Sequence, residues 1–224
     1  MIPSRSTLAV AAALLLAATT ASAVPLANGF TGQPFLDTTL PGTTELAQPA
    51  LAGLVLADVD TSFSLNGVTG YVQNRVVREF GSGTLDFYWR VVVDPTASGS
   101  GIAALRIGDF GYGYLTNADW RIDGVGSVAP TTGRLFNPAT NPGGDLNFLF
   151  DGTVDAGESS YFAMVHTGAT AYAETGLYDV TNAAGAITGT FDTFAPAVPE
   201  PAPSALLGLG LLTLAGLRAR RQRK

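Results

Sequence analysis

The central part of this 224-residue chain predicts an all-β fold, an antiparallel β-sandwich of the Greek-key or jelly-roll kind. In its clearest strand candidate, Leu85, Phe87 and Trp89 take one face. Asp86 and Tyr88 take the other, and a period of two is typical of a strand with one buried face. No segment here shows the sustained 3.6-residue periodicity of a helix. The turn residues are irregularly spaced, which favours meanders and Greek keys over a solenoid.

Strand candidates follow one another along residues 51–195, separated by turn residues such as Gly, Asn and Asp. In chain order they are SFSLNG, YVQNRVVREF, TLDFYWRVVV, IAALRIGDF, LNFLFDG, SSYFAMVHTG, TAYAETGLYDV and GTFDTF. Residues 24–50, rich in Pro, Gly and Thr, are expected to form an irregular leading arm with an edge strand. Because 46% of the residues are hydrophobic and only 13% are charged, we expect a packed core rather than disorder.

Residues 1–23 have the three parts of an export signal. Arg5 supplies a positive charge, the apolar stretch LAVAAALLLAA follows, and the small residues Ala21 and Ala23 suit the pockets of a signal peptidase. As a helix, the eleven apolar residues would span about 16 Å, too short for a hydrocarbon core of about 30 Å. We therefore expect a cleaved signal peptide and a mature chain that starts near Val24.

Charge is divided sharply along the chain. Five of the twelve basic residues occupy the last seven positions: Arg218, Arg220, Arg221, Arg223 and Lys224. Between Val24 and Pro203 there are six arginines against eighteen Asp and Glu residues, a net charge of −12. Such an acidic domain repels phosphate backbones, so we expect no nucleic-acid partner. The chain has no cysteine, which excludes disulfides and the lipidated cysteine of a lipoprotein.

The C-terminal end combines a rigid linker, an apolar run and the basic cluster. Residues 196–203 form a Pro-rich linker, and residues 204–217 carry no charge. As a helix this run measures about 21 Å, which is short for crossing the hydrocarbon core of a bilayer. The Arg and Lys residues that follow favour the cytoplasmic side, and their long side chains can reach the membrane surface and make up the missing length. We therefore predict a transmembrane helix at 204–217 and a basic cytoplasmic tail at 218–224, with the domain outside the cytoplasm.

This tail resembles the PEP-CTERM sorting signal of exported proteins in Gram-negative bacteria that make exopolysaccharide. The resemblance rests on Pro199, Glu200 and Pro201, the leucine-rich run and the terminal arginines, and it covers residues 198–224 only. It implies recognition by an exosortase, a membrane-embedded cysteine transpeptidase, and removal of the tail near the Pro-Glu-Pro step. The inner-membrane anchor would then be transient, and the protein would pass to the cell surface or extracellular matrix. This tail class is also labelled the C-terminal domain of ice-binding proteins, but the domain lacks regular Thr arrays.

Few residues of the domain point to catalysis. His166 is the only histidine and Lys224 the only lysine, which excludes a His-rich metal site and leaves the exported domain without Schiff-base chemistry. No Gly-x-Ser-x-Gly elbow accompanies His166, which lies beside Thr-Gly and is expected to be structural. We expect no enzyme and no cofactor, so the leading interpretation is a structural or adhesive surface or matrix protein. A carboxylate-dependent glycoside hydrolase is a distant alternative, since two Asp or Glu residues suffice.

Two loops suggest binding. The loop GDFGYGYLTNADW places Tyr112, Tyr114 and Trp120 among glycines, where aromatic faces stack on sugar rings or else cover the end of the core. If these rings stack on sugars, the domain is a carbohydrate-binding module that binds the cell's own exopolysaccharide. This is the second candidate function. The loop DGTVDAGE is a weak calcium candidate without EF-hand spacing, and we interpret it as a turn. Its oxygen ligands would be Asp151, Asp155 and Glu158.

Overall fold

A computed structural model describes residues 23–197 and shows an almost entirely β structure with two short 3₁₀ turns, Pro49–Leu51 and Tyr112–Tyr114. The predicted cleavage residue Ala21, the Pro-Glu-Pro motif, the 204–217 segment and the basic tail lie outside the described residues. No helix within 23–197 is long and apolar enough to cross a membrane. The strands are β1 (Val24–Pro25), β2 (Phe35–Thr39), β3 (Gly53–Leu65), β4 (Val68–Glu79), β5 (Leu85–Val93), β6 (Ile102–Gly108), β7 (Asn117–Trp120), β8 (Thr132–Phe136), β9 (Leu146–Val154), β10 (Ala163–His166), β11 (Tyr172–Asn182) and β12 (Phe191–Pro196).

The strands form two six-stranded sheets in which every neighbouring pair is antiparallel. The first sheet has the order β1-β7-β10-β5-β4-β3, and the second has the order β12-β11-β6-β9-β8-β2. The β3–β4 hairpin turns at Asn66 and Gly67, which both have positive φ, as the Asn-Gly pair predicts. The all-β class and its antiparallel sheets are therefore confirmed.

One hydrophobic core lies against both sheets. Phe87 and Trp89 of β5 are fully buried, as the alternation of this strand predicts. The Trp89 ring lies 6.4 Å from that of Phe148 on β9, so the two sheets pack through their aromatic side chains. Burying each large apolar side chain contributes about 1.5 to 3 kcal/mol, which makes this core the main source of stability.

Residues 24–50 contribute to both sheets. The short strand β1 pairs with β7 at the edge of the first sheet, and β2 pairs with β8 at the edge of the second. Further along, Leu51 packs on the outer face of the first sheet, beside Ala23. This small outer cluster also includes Tyr88, so the face of β5 opposite the main core is buried there as well. The other members of the cluster are Val77, Phe162 and Met164.

Candidate functional site

A groove of about 580 Å³ lies on the outer face of the first sheet, beside the small outer cluster. Its volume is within the range of about 300 to 1,000 Å³ that small-molecule sites occupy. Three of the six arginines of the domain line it: Arg75 on β4, Arg90 on β5 and Arg121 just after β7. We call this feature the arginine groove.

Strand register brings the first two arginines together. Arg75 lies opposite Tyr88 in the β4–β5 ladder, and Arg90 lies opposite Gln73 one pair further on that face. Side chains two residues apart in a strand share a face, so both guanidinium groups point away from the main core. Arg121 joins them because its N–H donates to the Phe162 carbonyl next to β10.

The groove arginines differ in how their charges are compensated. Arg75 pairs with Asp58 at 2.7 Å, and Arg121 pairs with Asp123 at 2.7 Å. Within the described part of the chain Arg90 forms no ion pair, and its Nε is buried without a hydrogen-bond acceptor. The guanidinium groups of Arg75 and Arg90 lie 4.8 and 5.3 Å from the centre of the Phe162 ring. This cation–π stacking holds both groups in place while leaving donor atoms for an anion.

Two further groups in the groove keep their protons at neutral pH. Burial raises the pKa of the Tyr88 phenol above its ordinary value. Burial is the largest single effect on the pKa of Arg121 and lowers it, but the interactions with Asp123 and Tyr88 together outweigh burial and raise the pKa. The guanidinium groups of the groove are therefore its fixed donors, and their geometry matches a carboxylate or sulfate.

His166 belongs to a second polar feature, at the end of the same sheet face. Its Nδ1 lies 2.8 Å from Oδ1 of Asp86 and 3.0 Å from Oε1 of Glu79. In the part of the chain described by the structure, this is the one group of three potential metal-ligating side chains. The hydrogen bond with Asp86 raises the pKa of His166, and burial raises that of Asp86. We call these three residues the Glu-Asp-His cluster.

The predicted glycan-binding aromatics pack against the main core. Tyr112 and Tyr114 lie in a 3₁₀ turn, with Tyr112 6.4 Å from Phe30. Trp120 lies on β7, where its Nε1 donates to the Leu40 carbonyl at 3.1 Å and its ring lies 5.0 Å from that of Tyr161. The arginine groove is lined by none of these three aromatics.

The candidate calcium residues form local turn contacts. Oδ1 of Asp155 accepts a hydrogen bond from the Thr153 hydroxyl at 2.9 Å. Oε2 of Glu158 accepts one from the Asp155 N–H at 3.1 Å, and Asp151 is exposed on β9. Of the two residues predicted for signal cleavage, Ala23 is within the described part and is buried in the small outer cluster.

The described residues thus define a class of protein: an antiparallel β domain with an arginine-lined groove on one outer face. No protein-family model, curated protein or solved structure matches the chain. The resemblance of the tail to a sorting signal therefore depends on the residues of the tail itself. The function of the domain is therefore inferred from its own residues, above all those of the arginine groove.

Proposed function

We propose that the chain is an exported bacterial surface or extracellular-matrix protein with a structural or adhesive, non-enzymatic role. The export signal and the PEP-CTERM-like tail support this proposal, because they stand at opposite ends of one β domain. An exosortase would release the domain from its transient inner-membrane anchor. The two antiparallel sheets and their common core support a β-sandwich of the Greek-key or jelly-roll kind.

The domain would act by binding acidic exopolysaccharide in the arginine groove. The observation that carries this proposal is Arg90, a partly buried guanidinium that stacks on Phe162 and forms no ion pair within residues 23–197. The charge of Asp58 acts on Arg90 without direct contact, so a carboxylate of the polymer would be its direct ion-pair partner. The bidentate fork of arginine fits such a carboxylate closely.

The net charge of the domain opposes this binding at long range but not at contact. Charges in solution are screened over about 8 Å at physiological ionic strength, so most of the acidic surface acts weakly on a bound polymer. Hydrogen bonds to a charged partner contribute about 1.5 to 3 kcal/mol each. Contacts in the groove can therefore outweigh the screened repulsion at physiological salt.

Binding of polygalacturonate, a carboxylated polysaccharide, to the purified full chain tests the proposal by calorimetry. We expect Arg90→Gln to weaken binding about 10- to 100-fold, the equivalent of one or two charge-assisted contacts. Arg75→Gln should weaken it as well, whereas Arg134→Gln should leave it unchanged. Arg134 is a matched control, since both Arg75 and Arg134 pair with an aspartate and have side chains 29% exposed, but Arg134 lies on the second sheet.

Neutral dextran serves as the control ligand and should not compete. Equal binding by the wild-type chain and the Arg90→Gln variant would contradict the proposal.

Release of new reducing ends from the polymer would instead identify a glycoside hydrolase. For this alternative, carboxylates such as Glu45 and Asp123 lie beside the groove.

A further inference from the structure

We infer that Glu79, Asp86 and His166 form a binding site for a divalent transition-metal ion of the Zn²⁺ or Mn²⁺ type. Three strand ends build it: Glu79 is the last residue of β4, Asp86 is the second of β5, and His166 is the last of β10. The register places His166 directly opposite Asp86 in the β5–β10 ladder. This inference does not depend on the arginine groove.

Two carboxylates compete for the one hydrogen that Nδ1 of His166 can offer them. The Nδ1 atom of His166 can carry one hydrogen, yet it faces a carboxylate oxygen of Asp86 at 2.8 Å and one of Glu79 at 3.0 Å. The Glu79 side chain is 2% exposed, and its buried Oε1, although 3.0 Å from Nδ1, accepts no well-directed hydrogen bond. A buried carboxylate oxygen that lies this close to an imidazole nitrogen, but is poorly placed to accept its hydrogen, is a ligand arrangement that a metal ion completes.

The surrounding contacts leave one oxygen of each carboxylate facing the imidazole. Oε2 of Glu79 accepts hydrogen bonds from the hydroxyls of Ser82 and Thr84, which leaves Oε1 facing His166. Oδ2 of Asp86 is contacted by the Tyr88 hydroxyl at 3.4 Å, which leaves Oδ1 facing the same nitrogen. Outer contacts of this kind fix the orientation of metal ligands in proteins.

The distances suit a transition metal. With metal–ligand bonds of about 2.0 to 2.2 Å, neighbouring ligand atoms lie about 2.8 to 3.6 Å apart. The two observed separations from Nδ1, 2.8 and 3.0 Å, fall in this range. Imidazole with carboxylates suits Zn²⁺ or Mn²⁺, whereas Ca²⁺ takes oxygen ligands, so the nitrogen argues against calcium.

Charge and access also agree with a bound cation. A metal ion on Nδ1 would displace the imidazole proton, and its two positive charges would then offset the carboxylates of this largely buried site. The His166 side chain is 27% exposed, so an ion can reach the site from solvent. The sequence alone predicted no metal here, because His166 is 80 residues from Asp86 along the chain.

Calorimetric titration of the tag-free, chelator-treated full chain with ZnCl₂ and with MnCl₂ tests the inference. We expect one equivalent of at least one metal to bind at micromolar concentration or tighter. His166→Gln and Glu79→Gln should each weaken binding at least about 100-fold, because each removes a direct ligand. Asp192→Asn, an exposed carboxylate outside the cluster, is the control and should bind like the wild type.

A second readout uses the unmodified chain and avoids variants that fail to fold. His166 is the only histidine, so imidazole ¹⁵N spectra of the tag-free protein contain one ring. Stoichiometric Zn²⁺ should shift the Nδ1 resonance of that ring by direct coordination. An unchanged Nδ1 resonance together with absent calorimetric binding, or undiminished binding by both folded cluster variants, would overturn the inference.

Discussion

Asp119 is a buried carboxyl whose ionisation opposes folding. Its Oδ1 accepts hydrogen bonds from the N–H groups of Gly42 and Trp120, but its Oδ2 is buried without a partner. Burial outweighs these hydrogen bonds and raises the pKa from 3.8 to about 6. The folded state therefore binds the proton more tightly than the unfolded state, and stability present at low pH is lost as pH rises from about 4 through about 6.

Asp119→Asn should remove this pH dependence, since the amide keeps the Oδ1 acceptor and never ionises. Each unit of pKa difference corresponds to about 1.4 kcal/mol. We expect the free energy of unfolding of the variant, relative to wild type, to rise by about 2 to 3 kcal/mol between pH 4 and pH 7. Urea unfolding at a series of pH values measures this difference. Asp192→Asn, at an exposed position, controls for loss of one negative charge, and an equal change in both variants would contradict the expectation.

At the scale of elements, one buried hydroxyl connects the two sheets. The indole N–H of Trp89 on β5 donates to Oγ1 of Thr193 on β12 at 2.8 Å. The Thr193 hydroxyl donates in turn to Oδ1 of Asn74 on β4 at 2.9 Å. All three side chains are buried, so the chain of hydrogen bonds fixes how β12 lies against β4 and β5.

Thr193→Val keeps the shape of the side chain but removes both hydrogen bonds. The Trp89 N–H would then be buried without an acceptor, and we expect a loss of about 1 to 3 kcal/mol in the free energy of unfolding. Thr190→Val, at an exposed position just before β12, should change it by less than about 0.5 kcal/mol. Chemical denaturation of both variants measures the two values. Equal stabilities would show that the connection between the sheets does not depend on this hydroxyl.

Strands with chemically distinct faces were predictable from the sequence. The alternation of β5 identifies its core face, and the Asn-Gly pair identifies the β3–β4 turn. The sequence does not predict strands β7 and β8. Strand β7 lies within the segment GDFGYGYLTNADW, which the sequence predicts to be a loop. Both strands are short and contain Asn, Asp, Gly or Thr, so their pairing with β10 and β9 outweighs weak local propensity.

The candidate sites depend on contacts that the sequence does not reveal. Arg75 and Arg90 occupy predictable outer faces of their strands, but Arg121 reaches the groove through backbone contacts after β7. The Glu-Asp-His cluster requires the register of β10 against β5, which pairs His166 with Asp86. The burial of Asp86 and Tyr88 was also missed, because it depends on the outer cluster formed with Leu51. A polar face covered by another segment has no local sequence signal.

At the scale of the whole molecule, the last described strand ends shortly before the predicted sorting motif in the sequence. Strand β12 ends at Pro196, and the N–H of Ala197 donates to the Ala171 carbonyl. Prolines at 199, 201 and 203 favour an extended chain and cannot extend a sheet ladder. Cleavage near the Pro-Glu-Pro step would therefore leave every described strand intact.

The proposed sorting predicts which form of the protein leaves the membrane. Intact-mass and terminal-peptide mass spectrometry of native membrane and medium fractions should find a released form that starts near Val24 and lacks residues 204–224. We expect Glu200→Gln to reduce release, because Glu200 is the charged residue of the motif that an exosortase would recognise. Glu174→Gln, at an exposed residue of β11, should not reduce it. Normal processing of Glu200→Gln would remove the role of the carboxylate but not the sorting itself. Retention of residues 218–224 in all of the native protein would instead make the tail a permanent anchor and contradict the matrix role, because a chain held in the inner membrane cannot reach the polysaccharide outside the cell.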